Sequence, residues 1–249
     1  GVLPDLYPTP MERQIMAETM KNPAITFMLG PGYGLDNYTD GAMMAHYMLV
    51  FTGLGFAIMS ILLVLRHTRE DEEEGRLEMI RSLPVGTLSS LTATILAITI
   101  SNLILALLIG FGLYSLGLES MDLNASLLYG ASLGAIGIFF GAITGLIAQV
   151  ATSTRGATAY SFAYLIGAYI VRGIGDLGNE ALALISPLGL IIRSQVYVNN
   201  YWWPVFLTLG LAIGIFLISL YLNSIRDLGT GFIPTRPGRK FASKFLLSP

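Results

Sequence analysis

Long apolar runs, separated by short charged or Gly/Pro-rich stretches, set the pattern of this chain. Ala42 to Leu65 carries no charge and stops at Arg66, His67 and Arg69. Coiled into a helix, a run of that length crosses the ~30 Å hydrocarbon layer of a bilayer. A second run, Leu88 to Leu116, carries several hydroxyls and one carboxamide, Asn102. A third covers Ser126 to Thr152, and a rather short fourth covers Ala157 to Val171 and ends at Arg172. The last, Trp202 to Leu222, opens on Tyr201, Trp202 and Trp203, the composition of an interfacial aromatic belt. The pattern predicts spans over about 42–65, 88–116, 126–152, 157–172 and 202–223, within a transmembrane domain of residues 42–224. Ala181 to Ile192 is apolar too, but Pro187 and Gly189 interrupt it and it is too short for an ordinary span. Residues 174–200 are expected to dip in and return, or to lie at the interface.

The flanks are different. Residues 1–41 are polar and mixed, and Thr9-Pro10-Met11-Glu12 has the form of a capping box with Pro at the first helical position. Met11, Ile15 and Thr19 repeat every fourth residue, which predicts a short amphipathic helix from Thr9 to Lys21. Such a helix packs on the protein's own surface, or serves as a membrane-surface or gating helix. Residues 225–249 form a basic tail or linker punctuated by Pro and Gly.

Composition sharpens the class. The 249 residues are 53% hydrophobic and only 12% charged, with mean hydropathy +0.66. Soluble domains carry roughly 25% charged residues, so this is an all-α polytopic membrane protein. A net charge of −2 gives no footprint for nucleic acid. There are no cysteines, and His46 and His67 are too few for a histidine metal cluster, so no metal site is expected. Arg66, Arg69, Arg76, Arg81, Arg155, Arg226, Arg236, Arg239, Lys240 and Lys244 fall on one side of the predicted spans. Arg13, Lys21, Arg172 and Arg193 fall on the other. The positive-inside rule makes the first side cytoplasmic. Residue 1 then lies outside and the tail inside. With no signal peptide visible, a further span is expected before residue 1, giving six in the complete unit.

One stretch is charged where the rest is apolar: Thr68 to Gly86. Glu70 to Glu74 places five acids at the start of a predicted helix over residues 70–83, where the macrodipole favours them. Leu77, Ile80 and Pro84 share one face, with Met79 and Leu83 adjoining, and Arg76, Glu78 and Arg81 face away. Pro84-Val85-Gly86 stops the helix. By pattern alone it is a solvated loop helix or a docking surface. Within the third run, Gly130, Gly134, Gly137, Gly141 and Gly145 line one helix face, a pattern for tight helix packing or for sliding. The span interiors hold almost no ionisable group, which disfavours an ion-coupled carrier. Asn102 and Gln149 suit helix–helix hydrogen bonds or a substrate path. No GxxxxGK[ST] motif is present, so any nucleotide would be bound by a partner.

The run Glu73-Glu74-Gly75-Arg76-Leu77-Glu78-Met79-Ile80-Arg81-Ser82-Leu83-Pro84-Val85 resembles the E-x-G-x-L-E-x-L-x-x-x-P-V signature of type-2 ABC exporter permeases. In that family it forms the coupling helix that docks on the ATPase. The longer run from Arg66 to Gly86 looks like the polyketide-antibiotic or multidrug exporter branch, as do Leu6-Tyr7-Pro8-Thr9 with Asn22-Pro23-Ala24, and Arg226 to Gly238. The resemblance implies a plasma-membrane permease subunit that moves amphiphilic compounds outward. Residues 1–249 would cover the first half of a permease without its first helix, and residues 173–201 would be its outer re-entrant segment.

It further implies docking of cytosolic ATP-binding-cassette subunits on Glu73, Glu74, Gly75, Arg76, Leu77, Glu78, Ile80, Arg81 and Leu83. Mg-ATP would sit in that partner and no cofactor in this chain. A second permease half or chain would complete the unit. Asn102, Phe139 and Phe140 are candidates for the substrate path, and no residue is catalytic. A membrane scaffold or sensor that holds a cytosolic protein is the reading from a different class.

Overall fold

The computed structural model describes residues 9–76, 79, 86 and 88–225. Its helices are α1 (Pro10–Met20), α2 (Pro23–Leu29), α3 (Asp40–Leu65), α4 (Ser89–Tyr114), α5 (Leu123–Val150), α6 (Thr154–Asp176), α7 (Glu180–Ile185), α8 (Pro187–Ile192) and α9 (Trp203–Ile225). Side-chain oxygens fix several starts: Thr39 accepts from Ala42 N, Asp122 from Ala125 N and Ser153 from Gly156 N. Among the described residues, four helices are long and apolar enough to cross a membrane: α3 with its continuation to Glu73, α4, α5 and α9. Helix α6 is longer than the short fourth run predicts, at 23 residues. Its Thr, Ser, Tyr and Gly residues make it less apolar, and it is not one of the four.

The long helices run alternately up and down, and α5 is their axis. It packs against α3, α4 and α9, with Leu128, Leu133 and Phe140 fully buried. Lipid gives helices no hydrophobic drive to associate, so close contact must hold them. The glycine stripe provides it. A Cβ at Gly130 would overlap the Ala106 carbonyl of α4, and one at Gly137 would overlap the Asn102 carboxamide. Gly134 and Gly141 continue the seam against Ala106 and Ile98, while Gly145 faces Ser219 of α9.

Asn102 is fully buried in this seam. Its amide nitrogen donates to Ser60 Oγ of α3 at 3.0 Å and to the Ile98 carbonyl at 2.9 Å. Phe139 and Phe140 are buried as well, edge to face at 5.8 Å, with Tyr164 of α6 a further 5.8 Å from Phe140. The three residues expected to line a substrate path are all buried where α4 and α5 face their neighbours. They are core residues that join helices, because each is surrounded on the inward faces of α4 and α5.

At the end of the bundle where α3 begins, the remaining elements form a cap. Helix α1 is seated by Gln14, which donates to the Leu35 carbonyl at 2.8 Å, and by Arg13, 3.5 Å from Asp40. These polar anchors rotate Ala17 and Met20 inward and leave Met11 and Ile15 exposed. The apolar stripe predicted for this helix thus points away from the protein. Residues 174–200 contain the short helices α7 and α8, and the Ala183 backbone is closely approached by Gly175 of α6 and by Gly189 of α8. In the turn that follows, Gln195, Tyr197 and Asn200 adopt left-handed backbone angles. The Tyr197 ring stacks on Tyr129, and its hydroxyl donates to Ser126 Oγ at 3.1 Å.

A buried ionic network fastens the cap. Arg172 and the Asp176 carboxylate are completely enclosed. Asp176 takes Arg172 at 3.4 Å on one oxygen and Arg193 at 2.9 Å on the other. Arg172 also donates to the Met28 carbonyl at 3.1 Å, and its guanidinium lies 4.5 Å over the Tyr169 ring. One carboxylate thereby links α6 to the end of α8, and its arginine carries the link to α2. Burial pushes the nearby Tyr33 hydroxyl above its usual range, with Arg193 opposing.

Two outcomes are expected in thermal unfolding of the detergent-solubilised protein. Gly130→Ala should cost ~1–3 kcal/mol or more, because backbone cannot yield as a side chain can, and Gly145→Ala should cost much less. Asp176→Ala should cost ~3–5 kcal/mol by stranding two buried guanidinium groups, whereas Glu180→Ala should cost less than ~1 kcal/mol at its exposed position.

Candidate functional site

The charged stretch lies at the opposite end of the bundle from the cap. Helix α3 does not stop at Leu65. It passes through one π-helical turn, Arg66–Glu70, and continues through Asp71–Glu73. The helix ends at Glu74, and Gly75 follows at φ +74°, donating its N–H to the Glu72 carbonyl at 3.1 Å. This is the left-handed residue that commonly closes a helix, and Gly takes it without steric cost. Arg76 and Met79 are helical again. The helix expected over 70–83 is thus split at Gly75, and the glycine after four glutamates and an aspartate is the signal for that break. Leu77, Glu78, Ile80, Arg81 and Leu83 lie outside the described residues.

The five acids therefore occupy the C-terminal end of a long helix, not the start of one. The macrodipole disfavours anions there, and local partners offset the cost. Arg69 is nearly fully buried and donates to Glu72 at 3.1 Å. Asp71 is held by Arg76 at 2.6 Å, with His67 at 3.8 Å, and Glu74 also meets Arg76 at 2.6 Å.

Two contacts reach far along the chain. Arg69 Nε donates to the Ala148 carbonyl in the last turn of α5. Such carbonyls have no partner within their own helix, and a cation is favoured beside them. Glu73 Oε1 accepts the backbone N–H of Thr154 at 2.7 Å. Thr154 is the first residue of α6, so its N–H is one of the unpaired donors of a helix start, where a carboxylate is favoured. The same short segment thus caps the end of α5 and the beginning of α6. Helix α4 joins as well: the Thr94 hydroxyl bridges the His67 carbonyl at 3.2 Å and the Ser90 carbonyl at 3.0 Å. An open cleft of about 440 Å³ lies beside this joint, lined by His67, Asp71, Ser89, Ser90, Ala93, Thr94 and Ala97.

Among the described docking candidates, the structure brings Glu73, Glu74, Gly75 and Arg76 together at this joint. Arg76 and Glu74 have about half of their side chains exposed, while Glu73 is tied to α6. Arg69 and Glu72 are functional candidates that sequence reasoning did not single out. Their roles depend on Ala148, which no local pattern connects to them. Asp176 was also passed over, although Arg172 four residues before it is the spacing of a helical ion pair. No group of three or more His, Asp or Glu that could hold a metal occurs among the described residues.

Residues 12–222 match the family described as "Multidrug efflux system permease Rv1217c, C-terminal domain". A curated relative, the multidrug efflux system permease protein Rv1217c of Mycobacterium tuberculosis, is 35% identical over 254 residues, covering 98% of this chain and 43% of the relative. The chain thus spans less than half the length of that relative. The matched region is described as a C-terminal domain, in place of the first half of a permease expected from the sequence. With its apolar helices the chain is a multi-pass membrane protein, and it belongs to the family of the multidrug efflux system permease Rv1217c, C-terminal domain.

Proposed function

We propose that this chain is part of the membrane permease of an ATP-driven exporter that moves amphiphilic compounds of the antibiotic or multidrug type out of the cell. The observation that carries the reading is the charged end of α3. There a stretch resembling an ATPase-docking signature follows in the chain directly after a helix long enough to cross the membrane. Family membership and the efflux function named for the relative support the same class. A separate ATP-binding-cassette subunit holds Mg-ATP and docks on Glu73, Glu74, Gly75, Arg76, Leu77, Glu78, Ile80, Arg81 and Leu83. Transport here is conformational coupling, so this chain performs no bond chemistry.

The distribution of cations supports an orientation. Arg66, Arg69, Arg76 and Arg155 gather at the charged end, and Arg13, Lys21, Arg172 and Arg193 at the cap. By the positive-inside rule the charged end is cytoplasmic and the cap faces outward. Helix α6 then crosses the membrane as well, since it joins the two ends. Large apolar side chains stand exposed along α4 and α9, among them Leu103, Leu108, Phe206 and Leu217. Lipid and a second permease half or chain complete those faces.

The test is Glu78→Ala with Arg81→Ala in the full-length permease, reconstituted with its ATPase. Substrate-stimulated ATP hydrolysis should fall roughly tenfold, the scale of a typical coupling energy. Unchanged stimulation would sink the docking assignment. Purification of the unaltered permease without any P-loop ATPase would instead point to a scaffold.

A further inference from the structure

The two long-range contacts of the charged stretch suggest where a docking motion goes. This inference rests on the docking reading above. The stretch lies in the chain between α3 and α4, so chain continuity alone would carry motion to those two helices. The hydrogen bonds add a different route. Arg69 holds the end of α5 through Ala148, and Glu73 holds the start of α6 through Thr154. The two capped ends are consecutive in the chain, since only Ala151 to Ser153 separate α5 from α6. The two side chains are four residues apart, the spacing that puts them on one helix face. Arg69 is clamped between Glu72 and Ala148 with almost no exposure, so its side chain has little freedom to swing.

We propose that Arg69 and Glu73 are positioning residues that make the ends of α3, α5 and α6 one rigid body. Displacement of the docking segment then reaches α5 and α6 directly, without passing through the 77–88 connection to α4. Glu73 is the adjustable element of the joint. It sits two residues before the Gly75 break, and its bond to α6 is a single charge-assisted contact to a backbone donor.

The informative variant is Thr154→Pro, because it deletes the donor without touching the docking surface. Pro suits the first position of a helix, and Ser153 already has the extended backbone that a following Pro prefers. In the full-length permease with its ATPase, this variant should still co-purify the ATPase, while transport per ATP hydrolysed falls roughly tenfold.

Hydrogen exchange in the same protein provides a readout that does not depend on the partner. Glu73→Ala should accelerate exchange of the amides of Thr154, Arg155 and Gly156, and leave those in the middle of α6 unchanged. Full transport by Thr154→Pro would overturn the proposal, as would unaltered exchange in Glu73→Ala. Loss of the ATPase from Thr154→Pro would also overturn it, because the joint would then form the docking surface rather than transmit from it. If the unaltered permease binds no ATPase, the docking reading itself fails and the transmission role falls with it. The exchange result would then report only a structural clamp.

Discussion

Everything in this bundle depends on how closely α5 can approach α4. At Gly130 the approach is limited by the Ala106 carbonyl itself, so the contact is made by backbone and not by interlocking side chains. Dispersion across such a seam is the main attraction available between helices that lipid would solvate equally well. The seam also fixes the register. It puts Asn102 opposite Gly137, the one residue type that leaves room for the carboxamide, and from there the amide reaches Ser60 on α3. With α3, α4 and α5 held in that register, the last turns of α3 and α5 come together, and Arg69 can reach Ala148.

The polar groups are distributed to match. The middle of the bundle is neutral, and its hydrogen bonds join uncharged partners such as Asn102 and Ser60. Charged groups concentrate at the two ends, where they cap helix termini or enclose one another. Helix α6 shows the consequence most directly. Its first N–H is held by Glu73, and near its last turn Arg172 and Asp176 engage Arg193 and the Met28 carbonyl. It is fastened by ionic groups at both ends and by packing between them. Buried ion pairs contribute little net stability compared with apolar packing, but a missing partner is costly. Such bolts therefore specify one arrangement more than they strengthen it.

The sequence makes the architecture legible because a bilayer requires long apolar helices and penalises every other spanning element. The apolar runs recover α3, α4, α5 and α9 to within a few residues. What escapes is whatever depends on partners distant in the chain. The rotation of α1 is decided by Gln14 and Arg13 finding Leu35 and Asp40, so the apolar stripe alone does not say which face turns inward. The acids at 70–74 look like a helix start because their composition suits one, yet the preceding span simply continues beneath them. Asn102, Phe139 and Phe140 read as polar and aromatic lining, and the Ser60 hydroxyl that Asn102 meets on α3 is invisible in the sequence around it. The stretch that resembles a docking signature is legible as a motif. Its attachment to α5 and α6 is not, because Ala148 and Thr154 contribute backbone atoms that have no residue-type signature.

The length of α3 has a mechanical consequence. From Asp40 to Glu73 the helix runs 34 residues, or ~51 Å at the usual rise, against a hydrocarbon layer of ~30 Å. Its middle is held by Asn102 of α4, which donates to Ser60, and by Leu133 and Ile136 of α5 beside Gly53. A tilt of about 5° about a mid-helix pivot sweeps either tip through about 2 Å. One tip carries the acids and the other meets the cap through Gly41, whose N–H donates to Ser120 Oγ. In any rigid tilt about that middle the two tips move in opposite directions.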